Sequence, residues 1–308
     1  MNVLKFLILL LSFQVLAGQP KQDIPVSGSL NNEKQLKSEY QLWKESRLEA
    51  LIQPNGWLSL IGLEWLHVGN NTLGSAEDND IQLNHGPEYM GTLLLTRDKT
   101  MTFTPHQDSG LTVNGELITE TIQVHADTSE SETTVFNADS FEFYVVERGN
   151  MAFRIKDAEA KTRTLFSGLD YFAEDTKYRI DAEFIPYQPA KIIPTVNVLG
   201  LLTNEASPGR LEFTIDGISY SLDTLDSSDS YYMIFADKTN GRSTYGPGRF
   251  LYTDGKVNEQ GTVRIDFNKA YNPPCAFTAY STCTLPPLQN RLPVEIIAGE
   301  KKYANSVY

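Results

Sequence analysis

FEFYVVERGNMAFRIK, from Phe141 to Lys156, decides the fold. Two runs rich in aromatic and β-branched residues flank Arg148-Gly149-Asn150, the pattern of two strands joined by a tight turn. The same rhythm extends both ways. Upstream lie WLSLIGLEWLHV (57–68), GTLLLT (91–96), TMTFT (100–104), LTVNGELI (111–118) and TIQVH (121–125). Within them Asn114-Gly115 is a strong hairpin signal, because both residues tolerate the left-handed conformation that a two-residue loop requires. Downstream, strands are expected at 195–202, 211–215, 218–222 (across Asp216-Gly217), 231–235, 250–253, 263–267 and 294–298. Short strands at such even spacing, with turn residues between them, point to sandwiches or barrels. No period repeats along the chain.

Ahead of the strands, Asn32 and Gln35 can form a capping box, and Leu36, Tyr40, Trp43, Leu48 and Ile52 recur at helical spacing. Pro54 and Gly56 stop that helix. Its aromatic stripe reads as core, laid across a sheet. The expected organisation is a mainly β chain whose N-terminal helix (32–56) packs on two β-sandwich or barrel-like units. The first unit spans 57–169 and the second 195–308, joined by a connector, 170–194, broken up by Tyr187, Pro189 and Pro194.

Residues 1–17 read as a secretory signal: Lys5, an apolar run from Phe6 to Leu11, and the small-residue cleavage pattern Val15-x-Ala17. The run is too short to span a bilayer. No cysteine follows the cut, which argues against a lipid anchor. Residues 18–31 form a polar leader. The expected location is outside the cytoplasm, periplasmic or secreted. The net charge of −13 argues against nucleic acid and anionic membrane surfaces, both of which need a positive patch. Its ordinary meaning is solubility. Fifteen Phe and fifteen Tyr are ample for a core.

The stretch DFNKAYNPPCAFTAYSTCTLPPLQNRLPVEIIAGEKK (266–302) cannot be a plain helix or central strand, since Pro273, Pro274, Pro286 and Pro287 lack donors and fix φ. Phe267, Tyr271, Phe277, Tyr280, Leu285 and Leu292 make it too apolar for disorder. It reads as an ordered loop packed on a sheet. Its polar set is Asp266, Asn268, Tyr271, Asn272, Tyr280, Asn290, Arg291, Glu300 and Lys301, joined by Asp237, Tyr245 and Arg249 from upstream. An Arg beside a carboxylate, with Asn and Tyr donors, can bind and polarise an oxygen-rich ligand. Asp266 or Glu300 would then be the candidate general base. The competing reading is structural, with Arg–carboxylate pairs and Asn side chains satisfying the backbone of an irregular loop. Asp223, Asp226 and Asp229 lack the Gly and terminal Glu of a calcium loop and read as solvated.

Cys275 and Cys283 are the two cysteines of the chain. In an exported protein an even pair suggests a disulfide, with buried free thiols or a two-cysteine metal corner as the alternatives. A thiolate nucleophile would need a reduced pair and a cation such as Arg249 or Arg291 nearby. His67, His85, His106 and His125 all precede the stretch and sit at no ligand spacing, so no His-rich zinc site is expected. A Ser-His-Asp or Cys-His arrangement within the stretch itself is excluded. No phosphate-cradling or dinucleotide fingerprint occurs, and no cofactor is expected.

The motifs Phe235-Ala236-Asp237, Tyr245-Gly-x-Gly-Arg249-Phe250-Leu251, Asp266-Phe267-Asn268-x-Ala270-Tyr271-Asn272-Pro273-Pro274-Cys275-Ala276-Phe277, Leu285-Pro286-Pro287-x-x-Asn290-Arg291-Leu292 and Gly299-Glu300-Lys301 resemble the bacterial and archaeal family catalogued as domain of unknown function 1684. Further likeness lies in GWLSLIGLEWL (56–66) and Leu73-Gly74-Ser75, so the resemblance spans 42–302. Thr284 departs from the family's proline after the second cysteine. The resemblance implies membership and carries no activity with it. LGSAEDNDIQL (73–83) also resembles the opening of forkhead-associated domains. Ser75 stands where that family has its phosphate-contacting arginine and no Ser-x-x-His follows, so this likeness implies a sandwich without phosphothreonine binding.

Two function classes follow. The first is an envelope ligand-binding or accessory module, for a small molecule or envelope ligand, with a polar groove at 266–302. The second is a small hydrolase-like enzyme using carboxylate and Arg chemistry without histidine. Convergence of Asp266, Arg249, Arg291 and Glu300 in one pocket would favour the enzyme. The same groups paired to backbone in a filled core would favour a scaffold.

Overall fold

The computed structural model describes residues 28–306, with side chains from Glu39 onward. The secretory signal and most of the leader lie outside the described residues. From Tyr40 onward the described residues form a compact unit, which holds the cores and the site described below. Strands make up 42% of the protein and helices 12%, so the fold is mainly β.

Helix α1 runs Gly28–Ile52. It begins ahead of Asn32, which is therefore an interior residue and not the cap, and it stops at Ile52 before Pro54 as expected. Its inward face is turned from the expected one. Tyr40 and Leu51 are buried and Trp43, Lys44 and Arg47 half-buried, whereas Leu48 and Ile52 are 38% and 40% exposed.

Eleven strands follow. They are β1 (Leu60–Trp65), β2 (Gly69–Gly74), β3 (Ile81–Gln82), β4 (Gly91–Leu95), β5 (Met101–Pro105) and β6 (Thr112–Val113). After these come β7 (Glu116–Leu117), β8 (Ile122–Gln123), β9 (Val135–Ala138), β10 (Phe141–Arg148) and β11 (Asn150–Asp157). They make a six-stranded sheet, β1-β11-β10-β9-β6-β7, and a five-stranded one, β3-β2-β4-β5-β8. The β10–β11 hairpin closes as read, with Arg148 opposite Asn150 across Gly149 at φ +80. Between the sheets, Phe103, Phe136, Phe143 and Phe153 pack in series with centroids 4.7, 5.0 and 5.4 Å apart, tilted, stacked and edge-on in turn. Leu73, Leu93 and Val145 complete this core.

The second half adds β12 (Arg179–Val196), β13 (Leu202–Ile215), β14 (Ile218–Asp223), β15 (Leu225–Asp226), β16 (Tyr231–Phe235), β17 (Arg249–Tyr252) and β18 (Thr262–Asp266). Its sheets are β14-β13-β12-β18 and β15-β16-β17. Their inner faces, with Phe267, Leu292, Ile296 and Ala298 from the irregular stretch, share a second core. The expected connector is, from Arg179, the longest strand of the fold. Proline removes only a donor, and Pro186 and Pro194 keep ladder positions opposite Gly209 and Asn204. Pro189 falls in the irregular stretch before Lys191. Likewise, 197–201 is the turn between β12 and β13, held by the Asn197 side chain accepting from Leu199 and Leu201 amides at 2.9 and 3.0 Å. Residues 294–298 form no strand, because two of their carbonyls are taken by the arginine described next.

Candidate functional site

Three buried ion pairs hold the 266–302 stretch in place. Arg249 opens β17, whose alternation turns it into the core, and it is fully buried. Nη2 donates to Asp237 Oδ2 at 2.7 Å and to the Ile296 carbonyl at 3.0 Å, while Nη1 donates to the Ala298 carbonyl. Burial pushes the guanidinium below its ordinary pKa, and Asp237 opposes that shift. Asp237 is fixed in turn, its Oδ1 accepting from the Thr239 amide at 2.7 Å and the Ile296 amide at 3.3 Å. The arginine thus does for 296–298 what a neighbouring strand would otherwise do.

Asp266 ends β18 and caps the 3₁₀ turn Phe267–Lys269. Its Oδ1 accepts from the Asn268 amide and side chain at 3.0 and 2.8 Å, and its Oδ2 from Arg179 Nε at 3.1 Å. Asn268 ties this corner to Asp175, giving to its carbonyl at 3.0 Å and accepting from its amide at 3.1 Å.

Glu300, fully buried, accepts from Arg47 Nε at 2.9 Å and from the Asn272 amide at 2.7 Å. Arg47 also donates to the Asn272 carbonyl at 2.9 Å and lies 4.6 Å above the Tyr271 ring. Asn272 donates to the Lys301 carbonyl at 2.8 Å. This pair latches helix α1 to the stretch.

The predicted polar residues are therefore brought together in separate knots and not in one groove. Asp237 meets Arg249, Asp266 meets Asn268, and Glu300 meets Asn272 and Tyr271. Arg291 stands apart from Asp266 and Asn272. It is exposed, its backbone bridges Ala236, and its guanidinium donates to the Pro286 carbonyl at 3.5 Å. Among the described residues it has no ion pair. Tyr245 is buried in a third core with Leu51, Leu58, Cys275, Ala276 and Phe277. Both candidate bases, Asp266 and Glu300, are occupied by arginine and amide donors.

Sequence reasoning missed Arg47 and Arg179, the counter-ions of Glu300 and Asp266, and nothing local to either marks its role. It also read Asp223 as solvated. Asp223 is buried, accepting from Tyr187 Oη at 2.6 Å and Lys191 Nζ at 2.9 Å. The Asn290 side chain joins it, accepting from the Asp223 amide and donating to the Asp223 and Ile234 carbonyls at 2.8, 2.9 and 3.1 Å.

The stretch also reaches the rest of the unit. Thr278 donates to the Leu60 carbonyl at 2.8 Å and Arg148 to Thr282 Oγ1 at 3.2 Å. The Val198 amide donates to the Cys283 carbonyl at 3.0 Å and the Leu285 amide to Val196 at 2.8 Å.

The two cysteines are free thiols in this structure. Each sulfur accepts the other residue's amide, Cys275 N to Cys283 Sγ at 3.1 Å and Cys283 N to Cys275 Sγ at 3.3 Å. Ser281 Oγ donates to Cys275 Sγ at 2.9 Å. The Cys283 thiol and Ser281 hydroxyl hold the Cys275 thiol down at about 7 against its burial, and the same pairing pushes Cys283 up. No cation does this, since Arg249 and Arg291 are engaged elsewhere. A crevice of about 10 Å³ opens beside the pair, lined by both cysteines, Tyr245, Phe250, Pro273 and Pro286 among others.

Residues 164–301 match the family model described as "Protein of unknown function (DUF1684)". A solution NMR structure of an uncharacterized protein of Haloarcula marismortui is 29% identical. The match covers 46% of this chain and 80% of that one, with a TM-score of 0.39. No curated protein matches.

Proposed function

We propose, for a chain whose residues 164–301 match the DUF1684 family model, an exported module of the cell envelope that binds an anionic or carbonyl-bearing ligand and does not catalyse a reaction. The observation that carries this reading is the fate of the two arginines of the signature. Arg249 is spent on Asp237 and two carbonyls. Arg291 is exposed without a carboxylate, on the edge of the same stretch. A planar guanidinium left unpaired offers two parallel donors to a carboxylate, phosphate or carbonyl. The occupied state of Asp266 and Glu300 supports binding over hydrolysis, since a general base needs a free oxygen near its substrate. No helix among the described residues is long and apolar enough to cross a membrane, a finding that leaves β-barrels aside. In the same reading, Cys275 and Cys283 become joined once the protein is outside the cytoplasm.

The test is a thermal-shift and calorimetric screen of acidic sugars, phosphate and muropeptides against wild type and Arg291→Met. The variant should melt within about 1–2 °C of wild type, as exposed substitutions do, and should lose the affinity of any hit. A hit that binds Arg291→Met equally well refutes the assignment.

A further inference from the structure

The thiols differ in a way that a plain structural bridge does not need. Cys275 is buried, accepts from the Ser281 hydroxyl and the Cys283 amide, and lines a crevice with room for about one water molecule. Cys283 is half-buried and lines the same crevice. Most of the remaining wall is carbon, from Phe250, Pro273, Pro286 and Leu285. A cavity of this size has no room for glutathione disulfide or other bulky oxidants beside Cys275, but it can hold a molecule little larger than water.

We propose that Cys275 and Cys283 form a peroxide-reactive pair, with Cys275 attacking hydrogen peroxide and Cys283 resolving the product to a disulfide. The Cys275 thiolate attacks one peroxide oxygen, the O–O bond breaks, and hydroxide leaves to take a proton from solvent. Cys275 becomes a sulfenic acid. The Cys283 sulfur then attacks the Cys275 sulfur, the S–O bond breaks, and the hydroxyl departs as water with the Cys283 proton. Two thiols and one peroxide give one disulfide and two waters, the first rungs of the ordinary cysteine oxidation ladder. The Ser281 hydroxyl stabilises the attacking sulfur, and the mutual amide contacts keep the resolving sulfur beside it. The inference rests on the functional reading above only for the existence of the bridge, and not on Arg291.

With its thiol held below the ordinary range by Cys283 and Ser281, Cys275 carries more thiolate at neutral pH than an ordinary cysteine, which carries a few per cent. The fully reduced folded protein should therefore lose both thiols to hydrogen peroxide faster than free glutathione does, and faster than the same chain in urea. Cumene hydroperoxide, too large for the crevice, should react more slowly than hydrogen peroxide. In Cys283→Ser, dimedone should label Cys275 after a peroxide pulse, and Cys275→Ser should stay unlabelled. Thiol loss no faster in the folded protein than in urea, or a dimedone label on Cys283 in Cys275→Ser, overturns the assignment. If the wild type bridges slowly in air but reacts with peroxide only at the unfolded rate, the bridge survives and the peroxide reaction falls. If no bridge forms under any oxidant, both fall.

Discussion

Replacing Arg249 with methionine tests the central claim that the signature is a clamp. Methionine keeps most of the volume and removes three bonds: one to Asp237, one to the Ile296 carbonyl and one to the Ala298 carbonyl. Asp237 Oδ2 is then a buried anion without a counter-ion, since Oδ1 alone is held by the Thr239 and Ile296 amides. Breaking a buried pair from one side costs about 3–5 kcal/mol, most of it the orphaned charge. For a protein of this size that lowers Tm by roughly 6–20 °C. The companion variant Asp237→Asn/Arg249→Met keeps an acceptor for the two amides and removes the orphaned charge. It should recover about 1–2 kcal/mol relative to Arg249→Met alone, a coupling that a double-mutant cycle reads directly. Urea unfolding of the four proteins measures this. Arg249→Met within 1 kcal/mol of wild type, on the order of an exposed substitution, would refute the clamp.

Three further outcomes are expected. Arg47→Met removes the buried partner of Glu300 and the stack on Tyr271, and should cost about 2–4 kcal/mol; limited proteolysis should then cut helix α1 before the β units. Gly299 sits at φ +79, and a Cβ there would lie 2.4 Å from the Ala270 carbonyl, so Gly299→Ala should cost about 2–4 kcal/mol. Gly217→Ala, at φ +78 with open space around it, should cost only about 1–2 in the same urea series. Burial pushes the Asp223 carboxyl up, but bonds from Tyr187, Lys191 and Gln289 outweigh it and hold it below the ordinary range. Stability from that depressed group is present above the unfolded carboxylate pKa and is lost as pH falls through the folded value. Tyr187→Phe should therefore cost about 1 kcal/mol at pH 7 and progressively less below about pH 4, as urea midpoints across that range would show.

What the sequence made legible was whatever is set locally. Asn114-Gly115 and Asp216-Gly217 close their hairpins with φ of +54, +81, +51 and +78, the left-handed pairs that two-residue turns demand. The Pro-Pro pairs marked an irregular stretch, and the stretch is irregular. What failed depended on distant partners. The prolines of β12 argued for a connector, but β13 supplies ladder partners that the local sequence does not show. Residues 294–298 have strand composition, yet Arg249 takes two of their carbonyls. The apolar periodicity of α1 placed Leu48 and Ile52 inward. The helix instead turns Arg47 in, because its planar guanidinium can stack over Tyr271 while its Nε reaches Glu300, a use of arginine that a hydrophobic pattern does not register.

That last feature bears on how the family segment is built. The match covers 164–301, so Glu300 lies at its very end and Arg47 lies far outside it. A buried carboxylate held by one amide and no cation would carry an uncompensated charge costing several kcal/mol. Leu51 and Leu58, also outside the segment, share a core with Cys275, Ala276 and Phe277. The core around Cys275 and the Glu300 latch therefore both rest on residues contributed by the helix and the turn that precedes β1. The signature reads as one end of a joint whose other end lies more than two hundred residues upstream, and any chemistry at Cys275 depends on that joint staying closed.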